Sequence, residues 1–432
     1  MQQGICDEQL NDNQRTMNPS RACLRAANWP CILFATIGSA LAFGLGVPAP
    51  AAETWHDVQF GGFISQGYLK SSANDYLGNT SDGTFDFREY ALNASYAKGA
   101  WRIGAQVFGQ KLGDYGDDRI KLDWAMIDYQ PCQWLGFRVG RVKLPRGLYN
   151  EALDLDSVRP FILLPQSIYD NRLRDFIASF DGAMAYGNVG LKRFGSLDYT
   201  LYYGDTPMSV KSGASDFFNT DSPFQNLTIG IDSLMGGTLF WNTPVTGLRA
   251  GYSETTFKNL DVLRQVVIPA AHLNKPYFKN AENYYHHQLS IEYTRGDWIF
   301  AAEAARENAL YKIGVPGVVT TQSATLHVDY TADLFYVSVA RRLTPWLELG
   351  SYCSVSREHF RHNTNINIPP LLKQTDYALS ARFDLNDHVI FKLEGHYLDG
   401  AGKVFNTPSH PAVPSSLDTS WTMFAAKVTF LF

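Results

Sequence analysis

The sequence predicts an all-β chain, a transmembrane antiparallel β-barrel of sixteen strands. Three observations carry that prediction. Segments along the chain alternate apolar and polar residues with period two. Their connections alternate between very short and long. The chain also stops on an aromatic residue at the end of such a segment, WTMFAAKVTFLF, Trp421 to Phe432.

The front of the chain stands apart. Residues 31–47 (CILFATIGSALAFGLGV) are apolar and uncharged, preceded by Arg21 and Arg25 and followed by the small-x-small site Ala49-Pro50-Ala51. That is the layout of a secretory signal peptide, and the run is short of the ~20 residues a membrane helix needs. Residues 1–51 are read as a leader, with Met17 as an alternative start, and residues 52–432 as one barrel domain. An anchor helix is the weaker reading, because the cleavage site follows at once. Cys6, Cys23 and Cys31 fall in the leader, which leaves Cys132 and Cys353. Two distant cysteines do not make a disulfide scaffold, and no Cys/His spacing points to zinc.

Beyond the leader no long apolar run occurs, and mean hydropathy is −0.19. Aromatics nevertheless reach 14%, with 23 Tyr and 27 Phe. A strand that puts only half its residues into lipid gives this faint signal. A net charge of −5 implies no nucleic-acid partner.

The strands divide cleanly into two faces. The second sets Tyr90, Leu92, Ala94 and Tyr96 against Glu89, Ala91, Asn93 and Ser95. The third sets Trp101, Ile103, Ala105 and Val107 against Arg102, Gly104, Gln106 and Phe108. The tenth sets Leu289 and Ile291 against His286, Gln288, Ser290 and Glu292. The thirteenth sets Leu347, Leu349 and Cys353 against Glu348, Gly350 and Tyr352; the fifteenth sets Phe391 and Leu393 against Lys392 and Glu394. The last sets Phe424, Val428, Phe430 and Phe432 against Lys427 and Thr429.

Seven short turns (at KGA, PCQ, FGS, TPVT, RGD, LTP and LND) alternate with eight long polar connections. These lie near 71–84, 112–117, 144–175, 205–230, 258–283, 311–322, 359–373 and 399–419. Short turns on one side and long loops on the other are the outer-membrane barrel layout. Trp101, Trp134, Trp298 and Trp346 each follow a short turn, which predicts a periplasmic aromatic girdle, with Phe432 in it. An open sheet edge cannot exist in lipid, so the last strand is expected to pair with the first, near 58–70, and needs no tail.

The third long connection, Leu144 to Asp175, is irregular, charged, and carries the apolar stretch PFILLP, Pro160 to Pro165. A loop in water has little use for that stretch; one folded into the barrel packs it on the wall. The expected constriction sets Glu151, Asp154 and Asp156 across the passage from Arg138, Arg159, Arg172 and Arg174, with Asp175 at the loop's end. Opposed charges across a narrow aqueous passage select solutes by charge. Lys121, Arg382, Lys392 and Lys427 are expected to face the lumen too.

With its sixteen strands, final Phe and long third loop, the chain resembles the Gram-negative porins. The stretches VGRVKLPRGLYNE and RPFILLPQSIYD are similar to those of porin-like proteobacterial outer-membrane proteins. The resemblance implies a passive channel for small hydrophilic solutes in the bacterial outer membrane, among its lipid and lipopolysaccharide. It also implies a homotrimer, and a C-terminal Phe432 read by the barrel assembly machinery. It supplies neither the solute nor the sign of selectivity, and tuning to anions such as phosphate stays open.

Other chemistries are less well supported. Asp154-Leu155-Asp156 lacks the full ligand spacing of an EF-hand calcium loop. His286 and His287 are strand neighbours on opposite faces and cannot chelate one ion. An outer-membrane lipase or protease needs a nucleophile beside a base. Ser290 and His286 share a face, but four residues along a strand is ~13 Å, and no GxSxG motif is present. No cofactor or energy input is implied, and no enzyme is expected. A soluble β-protein would have to bury Glu292, Glu303, Glu348, Arg382, Lys392 and Glu394, which reads as too many charges for a dry core.

Overall fold

The structure is a computed structural model that describes residues 53–55, 58–218, 224–266, 276–314, 326–361, 369–405 and 414–432. The expected leader lies outside the described residues.

Sixteen strands form one closed sheet. The first eight are β1 (Val58–Ser71), β2 (Phe87–Lys98), β3 (Trp101–Leu112), β4 (Lys121–Cys132), β5 (Leu135–Lys143), β6 (Ser179–Gly190), β7 (Ser196–Asp205) and β8 (Ser233–Asn242). The rest are β9 (Leu248–Val266), β10 (Pro276–Arg295), β11 (Trp298–Gly314), β12 (Leu326–Thr344), β13 (Leu347–Arg361), β14 (Lys373–Asn386), β15 (Val389–Gly400) and β16 (Ser420–Leu431). Each pairs antiparallel with its neighbours in chain order. Two short strands join the sheet as extensions: Glu53–Trp55 folds back on β1, and Phe224–Gly230 prolongs the line of β8 beside β9.

Closure is made by β16 on β1, with Met423 opposite Ser71 and Leu431 opposite Phe63. The chain terminus takes part. Phe432 donates to the Gly62 carbonyl at 3.1 Å and accepts from the Gly62 amide at 2.9 Å. A Cβ at Gly62 would sit 2.7 Å from the Phe432 ring, so this crossing needs a glycine.

The period-two pattern becomes an inside and an outside. Ile64, Leu92, Ile127, Val139, Leu201, Leu289, Phe335, Leu379 and Phe430 stand exposed on the outer wall around the whole ring. A water-soluble chain rarely exposes so continuous an apolar surface, whereas lipid requires it. Their neighbours in sequence point inward and are buried or half-buried. Trp101, Trp134, Trp298, Trp346 and Phe432 are all exposed at the end of the barrel that carries the short turns.

The wall is uneven. Strands β2 to β8 have 12 residues or fewer, but β9, β10, β11 and β12 have 19, 20, 17 and 19. Much of the loop expected at 258–283 is therefore strand, up to Val266 and again from Pro276. The loop expected at 205–230 also holds a helix, α1 (Gly213–Phe218), and the Phe224–Gly230 strand.

Candidate functional site: the third loop inside the barrel

Between β5 and β6 the third loop turns inward and packs against the inner wall of the barrel. It is built of 3₁₀ turns at Asn150–Ala152, Asp156–Val158 and Asn171–Leu173 and a single helical turn, α2 (Arg174–Ile177), between irregular stretches. Its own backbone groups must therefore find partners on the barrel wall.

They find them on β9 to β16. Gly147 donates to Ser253 Oγ at 3.0 Å, and Leu148 donates to Glu303 Oε1 at 2.9 Å. Gly147 has φ +59, and a Cβ there would lie 2.0 Å from Gln288 Nε2. Glu303 also accepts from Ser290 Oγ (2.5 Å), Gln288 Nε2 (2.8 Å), Tyr336 OH (2.8 Å) and Tyr169 OH. Further along, Lys392 Nζ donates to the carbonyls of Asp156 and Arg159, each at 2.8 Å, and Arg382 to that of Ser157 at 2.7 Å. Glu394 accepts from the amides of Ile162 (2.7 Å) and Leu163 (3.1 Å). The apolar stretch packs as its composition demands: Phe161, Ile162, Leu163 and Leu164 are all buried, with Phe161 edge-on to Tyr352 at 5.0 Å.

The predicted charged residues are arranged otherwise than expected. Asp154 and Arg174 are not opposed across a passage but bonded at 2.6 Å, in a network with Lys143 and Asp123. The Arg174 guanidinium also lies 3.6 Å from the centre of the Phe108 ring. Asp156 is held by Arg159 (3.0 Å), Lys427 (2.9 Å), Lys392 (3.5 Å) and Thr429 Oγ1 (2.5 Å). Arg172 pairs with Asp170 at 2.6 Å and stacks on Phe405 at 3.6 Å and Tyr76 at 4.7 Å. There it sits in an apolar cap made by Tyr76 and Leu77, Tyr115, Ile162, Leu163, Val404 and Phe405 from four loops. All these charges are buried. A charge removed from water needs a partner of opposite sign, and each has one within reach. Lys121 and Asp175 are corrected in the other direction: they pair at 3.2 Å on an exposed rim. Asp154 and Asp156 are neutralised by side-chain cations, which leaves no calcium-like arrangement.

Apart from the rim residue Asp175, Arg138 and Glu151 are the members of the predicted set that stay partly exposed. The Glu151 side chain is 32% exposed, and Arg138 Nη1 lies 3.9 Å from it. Arg138 pairs with Asp128 at 3.2 Å and stacks over Tyr186 at 4.3 Å; Tyr186 OH donates to Asp128 at 2.6 Å. Arg102 and Arg249 are also partly exposed, the latter 3.2 Å from Glu292. Asp198 accepts from Asn188 (2.5 Å) and Asn242 (2.6 Å) on the neighbouring strands. These half-exposed polar groups form a strip on the inner wall of β3 to β9, interrupted by buried residues such as Phe108, Met184, Tyr202 and Phe240. The inner wall of β12 to β16 is by contrast sealed under the loop.

Asp123, Asp128, Lys143, Tyr186, Arg249, Glu303 and Glu394 were not singled out as site residues. Their inward strand position was legible, but not which stretch of loop they meet. The six wall charges that read as too many for a dry interior are buried all the same. Glu292, Glu303, Glu348, Arg382, Lys392 and Glu394 are each 1–2% exposed, held by partner side chains and the loop backbone, with Glu292 Oε2 and Glu348 Oε1 lacking a hydrogen-bond partner among the described residues. Ser290 donates to Glu303, and His286 is bonded to Glu307 (3.0 Å) and Gln288 (2.9 Å), so the two form no nucleophile–base pair. His286 is buried and His287 half-exposed, on opposite faces.

No protein-family model matches the chain, and no curated protein matches it. Solved structures do. OmpT of Vibrio cholerae, in-vitro folded and in trimer form, aligns over 87% of this chain and 99% of its own at 12% identity, with a TM-score of 0.52. The anion-selective porin of Comamonas acidovorans aligns over 87% and 99% at 11% identity, TM-score 0.51. The outer-membrane channel DcaP of Acinetobacter baumannii aligns over 88% and 100% at 9% identity, TM-score 0.53. At such identity the likeness is one of fold: a closed sixteen-stranded antiparallel barrel.

Proposed function

We propose that the chain is an outer-membrane diffusion channel for small hydrophilic solutes. The solute path runs between the fixed third loop and the inner wall of β3 to β9. The observation that carries this reading is the asymmetry of the interior. One wall is sealed by the loop, while the opposite wall keeps Arg102, Arg138, Tyr186 and Arg249 partly exposed, as is Glu151 on the loop. The Arg138–Glu151 pair, 3.9 Å apart where the loop meets this wall, is assigned as the charged lining of the narrowest point. Both signs of charge are present, so ordinary ions and small polar solutes pass without a dedicated ligand. Residues 1–51 act as a removable leader, the tryptophans and Phe432 form the periplasmic girdle, and Phe432 is the assembly signal. The working unit is a homotrimer, in keeping with the trimer form described for the Vibrio cholerae protein.

Single-channel recording of the refolded protein in a planar bilayer under a salt gradient tests this. Conductance steps in threes are expected. Glu151→Gln moves the reversal potential toward anions and Arg138→Ala toward cations. Absence of any step at any voltage overturns the reading. A strongly anion-selective wild type places the channel in an anion-tuned class.

A further inference from the structure

Three aromatic side chains of the inner wall each lie against a glycine of the neighbouring strand. Tyr186 on β6 covers Gly136 on β5, Phe240 on β8 covers Gly251 on β9, and Trp124 on β4 covers Gly104 on β3. A Cβ at those glycines would meet the rings at 2.5, 2.3 and 3.0 Å. Covering a bare stretch of strand is a packing role, and it occupies one face of each ring.

The other faces differ. Arg138 stacks over Tyr186 at 4.3 Å, and Arg249 over Phe240 at 5.1 Å. Trp124 has neither a ring nor a cation against it among the described residues, and it is only half-buried. Its register partner is the inward-facing Gln106, so the exposed part of the indole faces the lumen. An indole packed on one face and wet on the other is a stacking platform.

Charges of both signs stand beside it. Arg102 is the inward residue next to Gly104 on β3, a step of ~7 Å along the strand. Asp128 lies directly opposite Arg102 on one side and Arg138 on the other. The Asp128 side chain is 2% exposed, whereas those of Arg102, Arg138 and Glu151 are 20%, 12% and 32% exposed. A solute therefore meets the two guanidiniums and the Glu151 carboxylate, with Asp128 behind them. Arg102 is 3.9 Å from Asp128, and Arg138 Nη1 is 3.9 Å from Glu151, both beyond hydrogen-bond range. These groups attract one another without using up their donors and acceptors.

We infer that this corner of the passage is a recognition subsite for aromatic α-amino acids. The ring stacks on Trp124, the carboxylate takes N–H donors of Arg102 and Arg138, and the ammonium faces Glu151. Each feature narrows the class. The arginines alone fit any anion, and the indole alone fits any flat ring. Two cations against Asp128 and Glu151 leave the corner neutral, which suits a zwitterion better than a net anion. The step from Gly104 to Arg102 is comparable to the reach from an aromatic ring to the carboxylate of its own amino acid. The inference rests on the solute path running along β3 to β9, and ordinary ions still pass.

The test is current interruption in planar bilayers holding the refolded protein. The solutes are L-phenylalanine, 3-phenylpropanoate (no ammonium), phenethylamine (no carboxylate), β-cyclohexylalanine (no aromatic ring) and alanine. Calorimetric titration of the same solutes in detergent reads binding without conduction, and heat-dependent gel mobility checks folding. L-phenylalanine is expected to interrupt the current at about tenfold lower concentration than any of the others, since each lacks one of its contacts. Glu151→Gln should erase the advantage over 3-phenylpropanoate, and Trp124→Leu the advantage over β-cyclohexylalanine. If a variant fails to fold, the solute series on the wild type still decides. A conducting protein on which phenylalanine acts no more strongly than alanine overturns the inference and leaves the channel intact. A stronger effect of 3-phenylpropanoate also overturns it, because the corner is then a plain anion site. Absence of any conductance sinks the channel reading itself. Saturable heat with phenylalanine then upholds the subsite on its own, and no heat overturns it as well.

Discussion

Asp156 separates two views of the third loop. If it lines water, Asp156→Asn removes one fixed charge from the passage and shifts selectivity without affecting stability. If it fastens the loop, the same change uncovers buried cations. The structure allows the cost to be worked out. Asp156 faces Arg159, Lys427 and Lys392 at 3.0, 2.9 and 3.5 Å, and accepts from Thr429 at 2.5 Å. Removing one partner of a buried pair costs roughly 3–5 kcal/mol. Lys427 keeps Glu89, and Lys392 keeps the carbonyls of Asp156, Arg159 and Phe161. Only Arg159 is left without a carboxylate among the described residues; because the other two cations keep partners, the lower end applies, about 3 kcal/mol. That is on the order of a hundredfold in the equilibrium between docked and detached loop. Urea unfolding of the protein in lipid vesicles, followed by tryptophan fluorescence, should show the loss. Single-channel recording should show larger or noisier conductance as the loop tip leaves the wall. A variant with unchanged unfolding and unchanged conductance, but a shifted reversal potential, would refute the fastening role.

Two further outcomes follow from the termini and the outer loops. Phe432→Ala keeps the backbone pair with Gly62 but loses a ring that is only partly covered, at 41% exposure; about 1 kcal/mol of stability in vesicle unfolding is expected. Outer-membrane yield in cells should fall far more than that, and equal yield would sink the assembly-signal role. On α1, burial pushes the Asp216 carboxyl up to about 7, with the nearby Asp114 charge adding to the effect and Arg172 opposing it. Because the docked state holds its proton more tightly, docking of α1 is strongest below the ordinary aspartate range near 4. It weakens by up to tenfold per pH unit until about 7 and is flat beyond. Hydrogen exchange in 213–218 should be faster at pH 8 than at pH 4.5 after correction for intrinsic rate, and Asp216→Asn should remove the difference. Equal corrected rates in the wild type would count against it.

The barrel was legible because strand period, turn length and chain end are local properties. Leu92 and Glu89, or Phe430 and Thr429, separate to opposite faces by backbone geometry alone. Closure of β16 on β1 follows from the cost of an open edge in lipid. Even the inward course of the third loop could be read, since PFILLP has no place in water. The bounds of the 258–283 loop could not be read, because a strand that rises out of the membrane becomes polar and so looks like loop. Nor could the roles of the loop charges. Asp154 and Arg174 are twenty residues apart with nothing local to join them, and Asp156 meets Lys392 and Lys427 only once the loop crosses the lumen. Composition placed acids and bases in one loop; the tertiary fold decided which of them meet each other and which still meet water. Pairing between distant segments depends on where the backbone travels, and only the closed barrel fixes that path.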